Sequence, residues 1–245
     1  MNVANTAASS GAPEARIALL GWAEIERQLD GHGFAVIDKL LTSAECRTLV
    51  ELYATDNIFR NKVVMERHGY GRGEYKYFNY PLPDMVAKLR GALYARLYAI
   101  ANRWQVALNS AIEYPAAHAE FLQRCWQAGQ TRPTPLLLQY GPDDYNCLHQ
   151  DLYGEQVFPL QVAVLLAQPN IDFTGGELVL TERRPRMQSR PHVVPLQQGD
   201  AVIFAVNQRP VQGARGSYRV EMRHGVSALR SGCRHTLGII FHDAA

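Results

Sequence analysis

Two side chains that can bind a metal ion, His149 and Asp151, stand two positions apart in the stretch "CLHQDLYGEQ". On a β-strand, residues i and i+2 point to the same face, so both side chains can converge on one ion. A third candidate, His224, follows 75 residues later. Two histidines and one carboxylate can occupy one face of an Fe(II) ion and leave three positions open. The first pair alone is more often a polar turn, and the metal-site interpretation therefore depends on His224.

Three further residues have the chemistry and the spacing to hold a carboxylate beside such a metal. Arg234 and Thr236 follow His224 by ten and twelve positions, and they share one face of a strand. A guanidinium can bind a carboxylate through two parallel hydrogen bonds. Tyr140, nine positions before His149, offers a phenolic hydroxyl from the preceding strand. We expect Arg234 and Thr236 to point at one carboxylate.

The elements that must position these residues are short apolar strands. After about residue 134, the runs "PLLLQY", "LQVAVLLA", "GELVL", "HVVPL", "AVIFA" and "RHTLGIIF" alternate with segments containing Gly, Pro, Asp and Asn. Several short strands at this spacing predict a sandwich or a barrel. We therefore expect a mainly β fold with bracing helices.

The residues before 134 predict helices mixed with a few strands. The spacing of Thr42 and Glu45 fits a capping box, and an apolar stripe from Val86 to Trp104 predicts a second helix. We expect a single domain over 14–245, with helical and β support over 14–133 and the β core over 134–245. Small and polar residues dominate positions 1–13, which we expect to be disordered.

Composition limits the environment and the partners of the chain. Its 245 residues carry a formal net charge of +2, and no run of 18 apolar residues predicts a membrane span. Four cysteines without CxxC spacing and no secretory signal predict a reduced, cytoplasmic protein. We expect a monomer or a homodimer. Charge is uneven, because ten arginines between Arg183 and Arg234 oppose only two acidic residues.

The order and spacing of the candidate ligands, from His149 to Thr236, resemble those of the Fe(II)/2-oxoglutarate-dependent dioxygenases. The resemblance covers residues 33–242 and includes "GFAVIDKLLTSAEC", "FTGGELVL" and "PLQQGDAVIF". It implies that the core is a double-stranded β-helix, or jelly roll. An H-x-D motif alone is a weak signal, and the other segments in the same order make it a strong one.

The resemblance also implies roles for the site residues. The two histidines and the aspartate would bind Fe(II), and Arg234, Thr236 and Tyr140 would bind the distal carboxylate of 2-oxoglutarate. Enzymes of this superfamily use O2 to hydroxylate a substrate C–H bond and release succinate and CO2. We expect the same reaction here, assayed with ascorbate.

The sequence does not identify the substrate, because two of its segments resemble enzymes with different substrates. "YGPDDYNCLHQD" resembles the approach to the ligands in AlkB-type nucleic-acid demethylases, which hydroxylate an N-methyl group on a damaged base. Those enzymes have two arginines six positions apart, whereas Ile240 stands where the second would be. "FTGGELVL" and the spacing of His224 and Arg234 resemble the prolyl hydroxylases instead. An alkylated nucleobase therefore competes with a small molecule or a protein side chain.

A group of arginines and tyrosines forms the set of candidate substrate contacts. Arginine-rich loops can meet phosphates, and an unstacked base needs aromatic faces. The candidates are Arg72, Tyr75, Tyr77, Arg183, Arg184 and Arg186. A solvated surface explains the arginines as well, and core packing explains the tyrosines. Nucleic acid is thus a candidate partner.

A further alternative is a cupin-like metal-binding protein without oxygenase activity. A protein of that kind would share the metal ligands and would have no need of Arg234.

Overall fold

The computed structural model describes residues 11–214 and 216–245 of the chain. Most of the segment that we expected to be disordered, 1–13, lies outside the described residues, and Pro13 already begins the first helix. Arg215 also lies outside them. Within the described part of the chain, no helix is long and apolar enough to cross a membrane.

The helices of the described residues all precede the β core in sequence. They are α1 (Pro13–Ala18), α2 (Trp22–His32), α3 (Ser43–Glu51), α4 (Asp84–Ala107) and α5 (His118–Gln127). Helix α3 begins at the capping box, in which the Thr42 hydroxyl accepts from the Glu45 amide and the Glu45 carboxylate accepts from the Thr42 amide. Helix α4 buries the predicted apolar stripe from Val86 to Trp104.

The strands are short and antiparallel. In chain order they are β1 (Phe34–Ile37), β2 (Phe59–Val64), β3 (Gly71–Arg72), β4 (Glu74–Phe78), β5 (Leu136–Tyr140), β6 (Tyr145–His149), β7 (Leu160–Leu165), β8 (Phe173–Gly175), β9 (Leu178–Arg183), β10 (Arg190–Val194), β11 (Ala201–Ala205), β12 (Gln208–Gly213), β13 (Gly216–Val226), β14 (Leu229–Gly232) and β15 (Arg234–Ile239). The larger sheet has the order β1-β11-β7-β15-β5-β4-β2, the smaller has the order β10-β9-β13-β6-β3, and β12 pairs with β13. Strands β14 and β8 form a separate pair.

Eight of these strands form the core that positions the site. Strands β5, β7, β11 and β15 lie in the larger sheet, and β6, β9, β10 and β13 lie in the smaller one. The chain passes back and forth between the sheets, as in a double-stranded β-helix. This confirms the predicted fold, a mainly β jelly roll with bracing helices.

The first half of the chain does more than brace the outside of the core. Strand β1 extends one edge of the larger sheet through β11, and β4 with β2 extends the other edge through β5. Most buried apolar side chains of both halves belong to one continuous core. Strand β4 thereby brings Tyr75 and Tyr77 next to the strand that carries Tyr140.

Candidate metal centre and co-substrate pocket

Strands β6 and β13 bring His149 and His224 side by side, because the two residues pair directly across the ladder. Asp151 lies just beyond the end of β6, and its carboxylate reaches both rings. Nε2 of His149 is 3.5 Å from Oδ1, and Nε2 of His224 is 3.3 Å from Oδ2. One ligand atom from each residue lies within 4.8 Å of the others. The three residues therefore form a cluster that can hold one metal ion.

The two imidazoles are oriented in different ways. Nδ1 of His149 donates to the backbone carbonyl of Cys147 at 2.8 Å, which leaves the Nε2 lone pair available to a metal. His224 is held by packing, with its ring centroid 4.8 Å from that of Phe204. Both Nε2 atoms face Asp151, so the donor set suits Fe(II), which binds two histidines and one carboxylate on one face.

The charges in this cluster are coupled. Burial alone would raise the pKa of the Asp151 carboxyl, but hydrogen bonds to His149 and His224 hold this pKa well below its ordinary value. Burial opposes charge on His149, yet the hydrogen bond and the charge of Asp151 outweigh it and raise the His149 pKa. Burial and the neighbouring His149 lower the pKa of His224. These shifts favour an ionised Asp151 and a neutral His224, and they stabilise the protonated form of His149.

Arg234 is a buried cation that forms no ion pair with the described residues. It pairs with Tyr140 across β15 and β5, and its guanidinium lies 5.5 Å from the centroid of the Tyr140 ring. Nη1 donates to the Thr236 hydroxyl at 2.7 Å. Nε has no hydrogen-bond partner, and Arg234 forms no ion pair within the described ranges. A buried charge without a partner is costly, so the side chain fits a ligand that supplies a carboxylate, as 2-oxoglutarate does.

One cavity of about 420 Å³ connects the metal cluster with Arg234. This volume is within the range of small-molecule sites. Its walls are mainly apolar and aromatic. All six predicted metal and co-substrate residues line it: His149, Asp151, His224, Arg234, Thr236 and Tyr140.

Two polar residues that contact the metal cluster escaped the sequence reasoning. Tyr153 donates from its hydroxyl to Oδ1 of Asp151 at 2.5 Å. Gln161 is buried on β7, with its amide nitrogen 3.2 Å from Nε2 of His224 and its Oε1 without a hydrogen-bond partner among the described residues. A single amide inside the apolar run "LQVAVLLA" was a readable signal, because a buried polar group usually needs a partner.

The two candidate tyrosines for substrate contact line the same cavity. Tyr75 is half-buried and Tyr77 is buried, and their rings meet edge to face at 5.3 Å. The Tyr77 hydroxyl donates to the hydroxyl of Tyr153 at 3.0 Å. The Tyr77 hydroxyl is therefore tied to the metal cluster, and Tyr75 stands closer to solvent.

The candidate arginines lie outside the cavity. Arg183 pairs with Glu221 at 3.9 Å, and Arg184 pairs with Glu182 at 2.6 Å. Arg186 is exposed in the β9–β10 turn and forms no ion pair with the described residues. Arg72 is exposed on β3, opposite Tyr145 of β6.

The arginine-bearing turn lies at the end of the core where the metal cluster lies. Leu180 of β9 pairs with His224, and Arg183 pairs with Glu221. Strand β9 thus continues three residues beyond the level of His224, or roughly 10 Å at the rise of a strand. Strand β6 ends at His149 on this same side.

The mouth of the cavity carries an aromatic side chain that the sequence reasoning did not single out. Tyr70 lines the cavity, is 51% exposed, and stacks on His68 with centroids 5.3 Å apart. Its carbonyl accepts from the Cys147 amide, which fixes its backbone beside β6. Arg67 and Arg72 on the same segment are exposed and form no ion pair within the described ranges.

Solved structures with a similar fold are oxygenases. A prolyl-4-hydroxylase from Pseudomonas putida matches with a TM-score of 0.54 and 14% identity, over 89% of this chain and 96% of that one. A 2OG-Fe(II) oxygenase family oxidoreductase from Burkholderia pseudomallei matches with a TM-score of 0.51 and 16% identity, over 92% and 93% of the two chains. At these identities the likeness concerns the fold.

Sequence comparison identifies the family. A Mycobacterium tuberculosis (strain H37Rv) protein, "Uncharacterized protein Rv2227", is 48% identical over 168 residues, which are 69% of this chain and 72% of the relative. The profile of the Oxygenase-NA family, described as "Oxygenase, catalysing oxidative methylation of damaged DNA", matches residues 73–244. This range contains the metal cluster, Arg234 and the whole strand core. The chain belongs to the Oxygenase-NA family, within the superfamily of 2OG-Fe(II) oxygenases.

Proposed function

We propose that His149, Asp151 and His224 bind Fe(II), and that Arg234, with Thr236 and Tyr140, binds the distal carboxylate of 2-oxoglutarate. The observation that carries this proposal is a buried guanidinium, without an ion pair among the described residues, that lines the same cavity as the metal cluster. When bound, iron, 2-oxoglutarate and O2 supply the oxidation of a substrate C–H bond, with succinate and CO2 as co-products.

The residues of the chain contribute position and exclusion of water. Arg234 fixes one end of the co-substrate by charge, and Thr236 holds the guanidinium in place. The apolar walls keep the reacting groups away from solvent, which prevents side reactions. Among these walls are Leu136, Leu138 and Ile240.

For the substrate, we propose an alkylated base in a nucleic acid. The description of the family names damaged DNA. The stacked Tyr70 at the mouth suits an adjacent base, because base–aromatic stacking is independent of sequence. Arg67, Arg72 and Arg186 are exposed cations that form no ion pair within the described residues, and they suit phosphates. The direction of the reaction that fits this donor set is demethylation: oxygen inserted into an N-methyl group gives an N-hydroxymethyl group, which leaves as formaldehyde.

A turnover screen tests this proposal and its alternative. The Fe(II)-loaded protein is supplied with 2-oxoglutarate, O2 and ascorbate, and succinate and formaldehyde are measured. The substrates are single-stranded oligonucleotides with and without N-methylated bases, free amino acids and peptides. Equal amounts of succinate and formaldehyde with methylated oligonucleotides alone support demethylation. Succinate with a peptide or an amino acid, and no formaldehyde, identifies a hydroxylase of protein side chains or small molecules instead.

The role of Tyr70 in stacking on a base is tested by a separate variant. Tyr70→Ala is expected to weaken binding of a single-stranded oligonucleotide by about tenfold or more, since stacking contributes ~1–3 kcal/mol per base. The control is Ile171→Ala, which removes an exposed apolar side chain that does not line the cavity. Equal binding by the wild type and Tyr70→Ala would remove Tyr70 from the substrate surface.

A further inference from the structure

A chain of two phenols ends on the carboxylate of the metal cluster. The hydroxyl of Tyr77 donates to that of Tyr153 at 3.0 Å, and Tyr153 donates to Oδ1 of Asp151 at 2.5 Å. Each hydroxyl has one proton to donate, so the order of donors runs from Tyr77 to Asp151. Each oxygen also faces a histidine, since Oδ1 lies 3.5 Å from Nε2 of His149 and Oδ2 lies 3.3 Å from Nε2 of His224. The two oxygens of Asp151 thus differ in one respect, which is that Oδ1 accepts a hydrogen bond from a phenol.

Tyr153 lies in the loop of residues 150–159, and Gln130 holds this loop in place. The side-chain amide of Gln130 accepts from the Gln156 backbone amide at 2.7 Å and donates to the Gln156 carbonyl at 3.0 Å. Gly154 has φ +147°, and a Cβ there would lie 2.4 Å from Cδ of Gln130. The loop therefore has little freedom at the residue that follows Tyr153.

Tyr77 is fixed independently of this loop. It lies on β4, where it pairs with Leu136 of β5. The guanidinium of Arg60 lies 4.3 Å above its ring. Tyr77 is therefore fixed to the larger sheet. Its hydrogen bond to Tyr153 connects that sheet to the loop of residues 150–159 beside the metal cluster.

We propose that Tyr153, held by Tyr77, is a positioning residue that makes Asp151 bind the metal through Oδ2 alone. This inference rests on the proposed iron site. The short hydrogen bond engages Oδ1 and stops rotation of the carboxylate. The number of ligands explains the need: on a six-coordinate ion, three protein atoms would leave three positions open for the co-substrates. A carboxylate bound through both oxygens would take one of these positions.

The effect of Tyr153 is measurable without turnover. Co(II) serves as the probe, because its visible absorption reports the number of ligands, and its affinity follows from a titration of the protein in the absence of 2-oxoglutarate. Loss of an outer hydrogen-bond partner of a metal ligand costs roughly 10–100-fold in affinity. We expect this loss in Tyr153→Phe, together with a change in the Co(II) spectrum towards more ligands. Tyr77→Phe is expected to cause a smaller loss in the same direction.

Two further variants distinguish positioning from general stability. Tyr94→Phe removes a buried phenol that donates to the Pro115 carbonyl at 2.8 Å and does not line the cavity. It is expected to lower thermal stability and to leave Co(II) affinity and spectrum unchanged. In the double variant Tyr77→Phe/Tyr153→Phe, the affinity should equal that of Tyr153→Phe, because Tyr77 acts through Tyr153.

The outcomes separate this inference from the proposed function. If the wild type binds Co(II) and Tyr153→Phe binds it equally well with the same spectrum, Tyr153 has no positioning role and the metal site stands. If the wild type binds no Co(II), the metal site itself is wrong. If Tyr153→Phe does not fold, Tyr77→Phe decides alone, and an unchanged affinity in that variant overturns the proposal.

Discussion

Nη1 of Arg234 lies 2.7 Å from the hydroxyl of Thr236, two residues later on the same strand. The guanidinium is 3% exposed and is contacted by the faces of Tyr140 and Phe173, at 5.5 and 5.9 Å from their ring centroids. Burial lowers the pKa of Arg234, yet a guanidinium stays charged in proteins. The fold therefore carries a buried positive charge that forms no ion pair with the residues that the structure describes.

This charge makes a prediction about stability. Replacing a buried charge by an apolar side chain of similar length is often neutral or stabilising by about 1–4 kcal/mol. Arg234→Met should therefore raise the melting temperature of the protein without ligands. Added 2-oxoglutarate with Mn(II) should raise the melting temperature of the wild type and leave that of Arg234→Met almost unchanged. A lower melting temperature in Arg234→Met would show that the guanidinium stabilises the fold.

Gln161 offers a similar test in an uncharged group. Its Oε1 is buried without a partner, and such a group costs about 1–3 kcal/mol. Gln161→Met should increase the free energy of unfolding by about 1 kcal/mol, or about 2–4 °C in melting temperature for a chain of this size. The control is Gln130→Met, which removes an amide with three hydrogen bonds and should destabilise the protein. Destabilisation by Gln161→Met would mean that this amide supports the fold.

Metal affinity should depend on pH through His149. Its raised pKa means that a proton must leave His149 before Nε2 can bind a metal. Mn(II) affinity should fall about tenfold for each pH unit below the His149 pKa, which lies above the ordinary value of 6.5. Isothermal titration between pH 6 and 8 in buffers of different ionisation enthalpy measures the affinity and the released proton. A Mn(II) affinity independent of pH over this range would show that metal binding does not require loss of a proton from His149.

The dependence of stability on acid pH should depend on two histidines that are far apart in sequence, the half-buried His118 and the buried His242. Burial lowers the pKa of His118 to about 3 and that of His242 to about 4. Below pH 6.5 the unfolded chain binds protons at these residues and the folded chain does not. The free energy of unfolding should therefore fall with decreasing pH, by up to about 1.4 kcal/mol per unit for each histidine. His149, with its raised pKa, contributes an effect of opposite sign.

Urea unfolding at pH 7, 6 and 5 measures this dependence. His118→Gln keeps a donor for the Phe241 carbonyl, which His118 contacts at 2.8 Å, and removes the titrating group. The slope with pH should be shallower in this variant than in the wild type. Identical slopes would exclude His118 as a source of acid sensitivity.

The spacing of His149 and Asp151 predicted two side chains on one face of a strand. The structure does bring the two side chains together, but Asp151 lies just beyond the end of β6, and the pair alone did not predict a metal site. His224 lies on β13, where Val220, Met222 and Val226 at the same alternate positions are also buried. Only the resemblance to the Fe(II)/2-oxoglutarate-dependent dioxygenases predicted that His224 lies beside His149. Pairing between strands 75 residues apart is not a local property of the sequence.

Tyr153 shows what local reasoning could not reach. Its hydroxyl meets Asp151 because the loop is fixed by Gln130 and Gly154, and because Tyr77 arrives from β4. These contacts span sequence separations from 2 to 76 residues. The pairing of β4 with β5, which no pattern within either strand specifies, decides which tyrosines meet the metal cluster.

The central claim is that the metal cluster and Arg234 together bind 2-oxoglutarate, and calorimetric titration with 2-oxoglutarate tests it most directly. The proteins compared are the wild type, Asp151→Ala and Arg234→Met, each with and without Mn(II). The account predicts that the wild type binds 2-oxoglutarate tightly only when Mn(II) is present. Asp151→Ala should lose this binding together with the metal, and Arg234→Met should keep the metal and lose 2-oxoglutarate by a factor of about 100 or more, as expected for a charge-assisted bidentate pair. Binding of 2-oxoglutarate that is independent of Mn(II) and of Arg234, or no binding to the wild type at all, would contradict the account.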